Sequence, residues 1–276
     1  MKFNYAKIYL LLVALLSSTY FVHGADLIVE EFGSTPNFNT IQAAINAATD
    51  GDRIFIRTKR GNFPYQEDVT INKSLELLPA SNDSSFIVQG SYTIVPAAGR
   101  TVTIVGMDNI DNDGTIQLSG SASAANPCHF NLLGAILRDS VNITGTGVIS
   151  RISGNEIFGE LIVRYATVTG NDLDLFLRIL PDASLSSDDS LYIVGNRIAE
   201  GVIWDSEHHY LVFTNNFVKS ADDIGLELFG VKGGTGYNLI ENNSIVGSFN
   251  DAMYFRNNMD GRRIKLTTTS PSQSVC

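Results

Sequence analysis

Across residues 136–259 one short pattern recurs: an apolar residue, two further residues, Asn, one residue, and a second apolar residue. "ISGNEI" at Ile152, "VTGNDL" at Val168, "IVGNRI" at Ile193, "VFTNNF" at Val212, "IENNSI" at Ile240 and "YFRNNM" at Tyr254 follow it. "ILRDSV" at Ile136 fits with Asp139 in the Asn place. The predicted ladder of corner residues is therefore Asp139, Asn155, Asn171, Asn196, Asn215, Asn243 and Asn257. Its uneven steps average about 20 residues, at the short end of solenoid repeats, and predict loops of variable length emerging from a regular core.

Around each corner the apolar residues are mostly β-branched or aromatic and alternate with polar ones, as in "LIVRYATV", "SLYIV" and "YLVF". This period of two predicts short strands. Such strands have no independent core, so successive copies must stack and bury one another's inward side chains. Asn suits a bend because it tolerates left-handed backbone geometry. Its amide also donates and accepts, so asparagines on adjacent coils can bond in a ladder. That structural role accounts for the asparagines without catalysis.

Ahead of the ladder stands "NFNTIQAAINAATDGDRIFIRTKRGNFPYQEDVTINKSLELL". Ile41, Ala44, Ile45 and Ala48 fall on one helical face, Asn39 with Gln42 makes a capping-box-like start, and Gly51 supplies a stop. "DRIFIR" and "EDVTI" then alternate as strands. This segment resembles the opening of the pectate-lyase-like superfamily of right-handed parallel β-helices, in which a short amphipathic helix closes the first coil and a "GD-x-I" strand follows. The matching residues are 40–48, then Gly51, Asp52, Ile54 and Ile56, then Gly61, 65–71 and 75–78. With the ladder, the likeness spans residues 38–266. It implies an all-β right-handed parallel β-helix, a solenoid, with an N-terminal amphipathic capping helix over exposed strand edges.

The superfamily holds lyases, hydrolases, esterases, epimerases and proteins without known catalysis, so the resemblance alone fixes no activity. The "DFIFG" and "QD" signatures of the pectin methylesterases are absent, as is the "RxPxxR" context of the calcium-dependent pectate lyases. Of the four polygalacturonase motifs the chain has an Asp pair, Asp222 with Asp223, and "RIK" at Arg263, Ile264 and Lys265. It lacks "NTD" and "GHG", and losing the first removes a carboxylate from an inverting constellation.

Composition narrows the setting. Residues 1–24 read as a signal peptide, with Lys2 and Lys7 ahead of an apolar run broken by Ser17, Ser18 and Thr19, too short to span a membrane comfortably. Residues 25–266 form the predicted β-helix, and 267–276 are a Thr/Ser/Pro-rich tail or linker. This predicts a secreted or cell-surface protein without a stable membrane span. The formal charge of −10, with no basic run, argues against a nucleic-acid partner. Carboxylates favour hard cations, which makes calcium the expected cofactor if there is one. Cys128 and Cys276 have no metal-ligand spacing, and their pairing stays open.

Acids recur where the chain starts its next strand: Glu160, Glu200, Asp222 with Asp223, and Asp251. Stacked coils would bring them to one face, where like charges repel and invite a cation, although Asp and Glu also simply occupy solvated bends. On this reading Asp223, Asp251 and Glu200 are the candidate metal ligands, and Asp222, Asp223 and His208 the candidate catalytic groups. The polyuronide lyases and epimerases of related scaffolds commonly use a His base with a Tyr acid. Trp204, Tyr210, Arg263 and Lys265 are the candidate substrate-binding residues. Alternation leaves Trp204 either in the core beside Val202 or exposed as a platform for a sugar.

Two functions are expected. One is a polyuronide lyase- or epimerase-like protein acting on extracellular acidic polysaccharide. The other is a non-catalytic, adhesin-like module that binds glycan or protein, as an oligomer or as part of a longer chain.

Overall fold

The computed structural model describes residues 24–80, 83–185, 190–205, 209–219, 225–230, 232–233, 236–246, 253–255 and 264–267. Every strand-to-strand pairing among the three sheets is parallel, and each strand pairs with its counterparts in the preceding and following coils. Sheet A has eleven strands and sheets B and C have nine each, visited by the chain in the order A, B, C. The architecture is the expected all-β parallel β-helix, of about nine coils.

Alternation decides what faces inward. In sheet C the column Leu118, Ile143, Val163, Ile179, Trp204 and Leu228 points into the lumen, each residue in register with the next and each buried. Burial of each such side chain contributes about 1.5–3 kcal/mol, and it exists only because the neighbouring coil is present.

The corner between sheets A and B carries the ladder, with one change of phase. The amide of Ala135 donates to Asn155 Oδ1 at 2.8 Å, and the backbone N–H of Asn155 donates to Asn171 Oδ1 at 2.9 Å. The same relay runs through Asn171, Asn196, Asn216 and Asn243, with side-chain Nδ2 and backbone N–H both directed at the next Oδ1. The second Nδ2 hydrogen of each asparagine goes to a backbone carbonyl, such as Val168 O for Asn196 at 3.0 Å. Every inner rung is thus satisfied in both its donors and its acceptor.

The rung of the fourth asparagine coil is Asn216, not Asn215. Asn215 has φ 57° and takes the place that Gly154, Gly170 and Gly195 occupy in neighbouring coils, all in the left-handed region. The corner is therefore a two-residue device: the left-handed turn falls on the residue before the rung, and the rung itself supplies the amide. The paired asparagines of "TNNF" and "ENNS" fill both places, which is why spacing from Val212 lands one residue early. Asp139 is not a rung either, and its Oδ1 accepts from the Ser140 amide at 2.6 Å. That coil turns at Gly134, φ 61°, and its rung is Ala135. In register above it stand Met107 and Phe86, so the column changes from apolar to amide partway along the solenoid. Asn257 lies outside the described residues.

The capping helix α1 (Ile41–Ala47) lies where expected and buries Ile41, Ala44 and Ile45. Its N-cap is Thr40, whose Oγ1 accepts from Ala43 N at 3.2 Å, rather than Asn39. The partner for the first amides comes from the next coil: Glu67 accepts from Ile41 N at 2.7 Å and Gln42 N at 2.8 Å, a carboxylate at a helix start. At the other end Lys73 Nζ donates to Ile45 O, Asn46 O and Ala48 O, so a cation closes the last turn. Gly51 does not end the helix. Its φ of 93° lets the chain turn into the first long strand of sheet A three residues beyond the C-cap, Ala48.

Asp52 then ties that turn together. Its Oδ1 accepts from Ala25 N at 2.6 Å, and its Oδ2 from Thr49 N at 2.6 Å and Thr49 Oγ1 at 3.1 Å. Burial acts to raise its pKa, but the hydrogen bonds from Thr49 and Ala25 and the Lys73 charge outweigh it and hold the group below the usual carboxylate value. A depressed carboxylate stabilises the fold above its unfolded pKa, and the stabilisation is lost as pH falls through the folded value. Chemical denaturation should therefore show Asp52→Asn less stable than the parent at pH 6, with the gap narrowing by pH 3. A gap that stays constant would assign the effect to packing.

The ladder phase is tested the same way. Asn216→Ala strands the Asn196 donors and should cost about 3 kcal/mol. Asn215→Gly, at an exposed left-handed position, should change stability by less than about 1 kcal/mol. Equal effects at the two positions would reject this assignment.

Candidate functional site

The outer face of sheet C is the surface into which the acid-bearing connections feed. Its central outward column runs Thr70, Thr93, Gln117, Asn142, Ile162, Arg178, Ile203, Glu227 and Tyr254, one residue per coil. Neighbouring members are one strand spacing apart, about 4.8 Å. The first four are uncharged and polar, and the later ones mix aliphatic residues with Arg178, Glu227 and Tyr254.

Arg178 is the centre of this face. It stands between inward Leu177 and Ile179, so the strand that buries its neighbours turns the guanidinium outward. Glu160 Oε1 lies 3.6 Å from its Nη2, and the Phe176 ring centroid lies 5.7 Å from its Cζ. Both charged side chains remain partly exposed, at 40% and 32%, so the pair is a surface contact worth about 0–1 kcal/mol. A guanidinium held this loosely can exchange its carboxylate for one on a ligand. Below it, Arg164 Nε donates to Thr144 O at 2.7 Å and its Nη1 to Pro181 O, which consumes that side chain in structure.

The residues singled out from sequence are only partly on this face. Trp204 sits in the inward column between Ile179 and Leu228 and is 0% exposed, so it is core rather than a platform for sugar. The strand Gly201–Asp205 is in register with Phe176–Ile179, and that register sends Ile203 outward instead. Tyr210 belongs to sheet A and is 6% exposed. Its hydroxyl accepts from Gly236 N at 3.0 Å and donates to Gly233 O at 3.4 Å, so it fastens a loop of its own chain and is not open to substrate. Lys265 is exposed, but it projects from sheet A beside Leu239, on a different face from Arg178.

Of the acid row only Glu160 and Glu200 are among the described residues, and they are not in register. Glu160 aligns with Phe176 and Gly201, which places Glu200 one residue out of phase with it. The two carboxylates therefore enter sheet C one residue apart in phase. Among the described residues no group of three His, Cys, Asp or Glu side chains gathers as a cation site. Asp222, Asp223, Asp251, His208 and Arg263 lie outside the described residues, as does Cys276. His209, next to His208, is buried with its ring edge-on to Tyr165 at 4.6 Å. Cys128 is buried, and desolvation pushes its thiol pKa up.

A second charged group lies on sheet B, where Arg197 reaches Asp172 at 2.6 Å and Asp174 at 2.9 Å. The hydrogen bonds that Arg197 donates to Asp172 and Asp174 raise its pKa further, and with two acids to one base the cluster keeps a negative charge while its guanidinium is fully engaged. Arg178 differs in having one distant partner. Sequence reasoning passed over it, although "FLRIL" carries the signal: a lone charge at the outward position of an otherwise apolar strand.

Among the described residues no helix is long and apolar enough to cross a membrane. No protein-family model matches the chain, and no curated protein matches it. Among solved structures the chain is similar to a pectin methylesterase from Aspergillus niger, at 15% identity over 92% of either chain, with a TM-score of 0.36. The fold assignment stands on the strand register itself, and no residue role passes from that enzyme to this chain.

Proposed function

We propose that this is an extracellular β-helix that binds acidic polysaccharide along the outer face of sheet C, with Arg178 as the carboxylate-binding residue. The observation that supports this reading is the loosely held Arg178, flanked by Phe176 and in line with the polar column from Thr70 to Asn142. A parallel β-helix offers an extended chain a straight track, and hydroxyls or carboxylates spaced along that chain meet one outward residue per coil. The acidic balance of the whole protein gives selectivity: the ligand must be met by a local cation, since the surrounding field repels it.

Binding without turnover is the simpler form of this reading, because Glu160 and Glu200 are one residue out of phase. The catalytic form, a polyuronide lyase or epimerase, would draw on Asp222, Asp223 and His208, with calcium held by Asp223, Asp251 and Glu200.

Titration of the full chain with polygalacturonate and alginate, with and without calcium, decides between them. Saturable binding weakened about tenfold by Arg178→Ala, partly restored by Arg178→Lys and reduced by added salt, is the expected result. Unsaturated uronate products, or a changed epimer ratio, that appear only with calcium would move the protein to the catalytic form. No saturable binding of either polymer, or binding unchanged in Arg178→Ala, would overturn the proposal.

A further inference from the structure

The first coils carry a concavity that none of the preceding chemistry uses. It lies at the corner between sheets A and B, and none of its lining residues belongs to sheet C. One compartment of about 650 Å³ has Ile28 and Phe55 on its floor, with Arg57 and Asp83 among its walls. A second, of about 620 Å³, is lined by Lys59, Arg60, Asn62 and Asp108. Thr58 and Asp83 line both, so the two are halves of one cleft. Each half falls within the range of about 300–1,000 Å³ usual for small-molecule sites.

The cleft is rigidly built. After the strand Asp52–Ile56 the chain leaves the sheet, passes a left-handed Gly61, φ 71°, and returns at Tyr65. Thr58 N donates to Asp83 Oδ2 at 2.9 Å, and Tyr65 OH donates to Arg57 O at 2.8 Å. Lys59 Nζ donates to Pro64 O at 3.1 Å and lies 4.3 Å from the Tyr65 ring centroid. The Arg60 amide reaches Glu31 Oε2 at 3.3 Å, which joins the loop to the one before it. A site that needs no ordering on binding loses less entropy to its ligand.

Its chemistry excludes most ligand classes. Its lining holds Arg57, Lys59 and Arg60 with Asp26, Asp83 and Asp108; Arg57 is itself paired with Glu30 at 2.6 Å and Asp26 with Arg53 at 2.8 Å, so neither sign is in excess to attract a polyanion or a free cation. Paired charged groups of both signs, able to donate and accept, suit neighbouring hydroxyls, which do the same. At the rim Phe63 is 66% exposed, with its ring against Gly61: a Cβ at Gly61 would stand 3.1 Å from Phe63 Cε2. A large ring left in water beside a polar cleft offers a flat face for apolar C–H groups. Within the cleft Asp108 has one buried carboxylate oxygen, Oδ1, that receives no hydrogen bond. Burial raises its pKa against the opposing charge of Arg138.

We propose that this corner cleft is a binding site for a neutral oligosaccharide, with Phe63 as the stacking surface and Arg57, Arg60 and Asp83 as the hydrogen-bonding groups. The two halves of the cleft would take successive sugar units. The site is separate from Arg178, and it would let one chain hold an uncharged glycan at its first coils and an acidic one along sheet C.

Calorimetric titration of the full chain with cello-, xylo- and galacto-hexaose, and with hexagalacturonate as the charged comparator, tests this. Expected is saturable binding of at least one neutral hexaose, weakened at least about tenfold by Phe63→Ala and by Arg60→Ala and unaffected by Arg178→Ala. Both substituted side chains are exposed, so unchanged circular dichroism and melting temperature will show that the fold is intact. No saturable binding of any neutral hexaose, binding unchanged in Phe63→Ala, or capture of hexagalacturonate alone would overturn the proposal. Because Arg178→Ala leaves this cleft intact, failure here is distinguishable from failure of the sheet C reading.

Discussion

Everything in this molecule depends on stacking in register. No coil encloses a core, since the strands within a coil face one another across a lumen only a few side chains wide. A one-residue slip between coils would turn every inward residue outward. The corner between sheets A and B holds the register by two different means. In the first coils the side chains of Phe86, Met107 and Ala135 stack by apolar packing, and from the Ala135 amide to Asn243 a relay of side-chain amides takes over. The amides add what packing lacks, a directional bond that is satisfied only when each coil sits directly on the next.

The first coil has no predecessor, and the chain treats that end as a problem of exposed backbone. Helix α1 covers it, and each end of that helix is closed from the following coil, by Glu67 at its start and Lys73 at its end. The Gly51–Asp52 pair then brings the chain into sheet A, one residue supplying the backbone conformation and the other three acceptor contacts. Cap and solenoid thus stabilise one another through hydrogen bonds between coils.

Once stacking is fixed, the outer faces are free to vary, and they differ sharply. Sheet B carries an Arg197 held between two carboxylates, and sheet C carries a partly exposed Arg178 in a polar column. The A–B corner of the first coils carries a balanced, aromatic-rimmed cleft. Short strands with loops between them permit this, because an outward residue contributes little to the core and can be exchanged for its chemistry.

The sequence by itself determined the class of fold, the helix that opens it and the column of corner asparagines, because period-two alternation and a repeated bend are local properties of the chain. Asn155, Asn171, Asn196 and Asn243 were legible for that reason. Asn216 was not, since two adjacent asparagines fit the pattern equally and only the positive φ of Asn215 separates turn from rung. The site was far less legible. Alternation fixes that Val202 and Trp204 share a face but not which face looks inward, and it cannot tell that Glu160 and Glu200 differ in phase. The side of each strand that meets the lumen, and the coil against which each loop lies, are set by pairings between residues some twenty positions apart. Only the tertiary structure decided those, and with them that Trp204 is core, that Tyr210 ties down its own loop, and that Arg178 faces solvent.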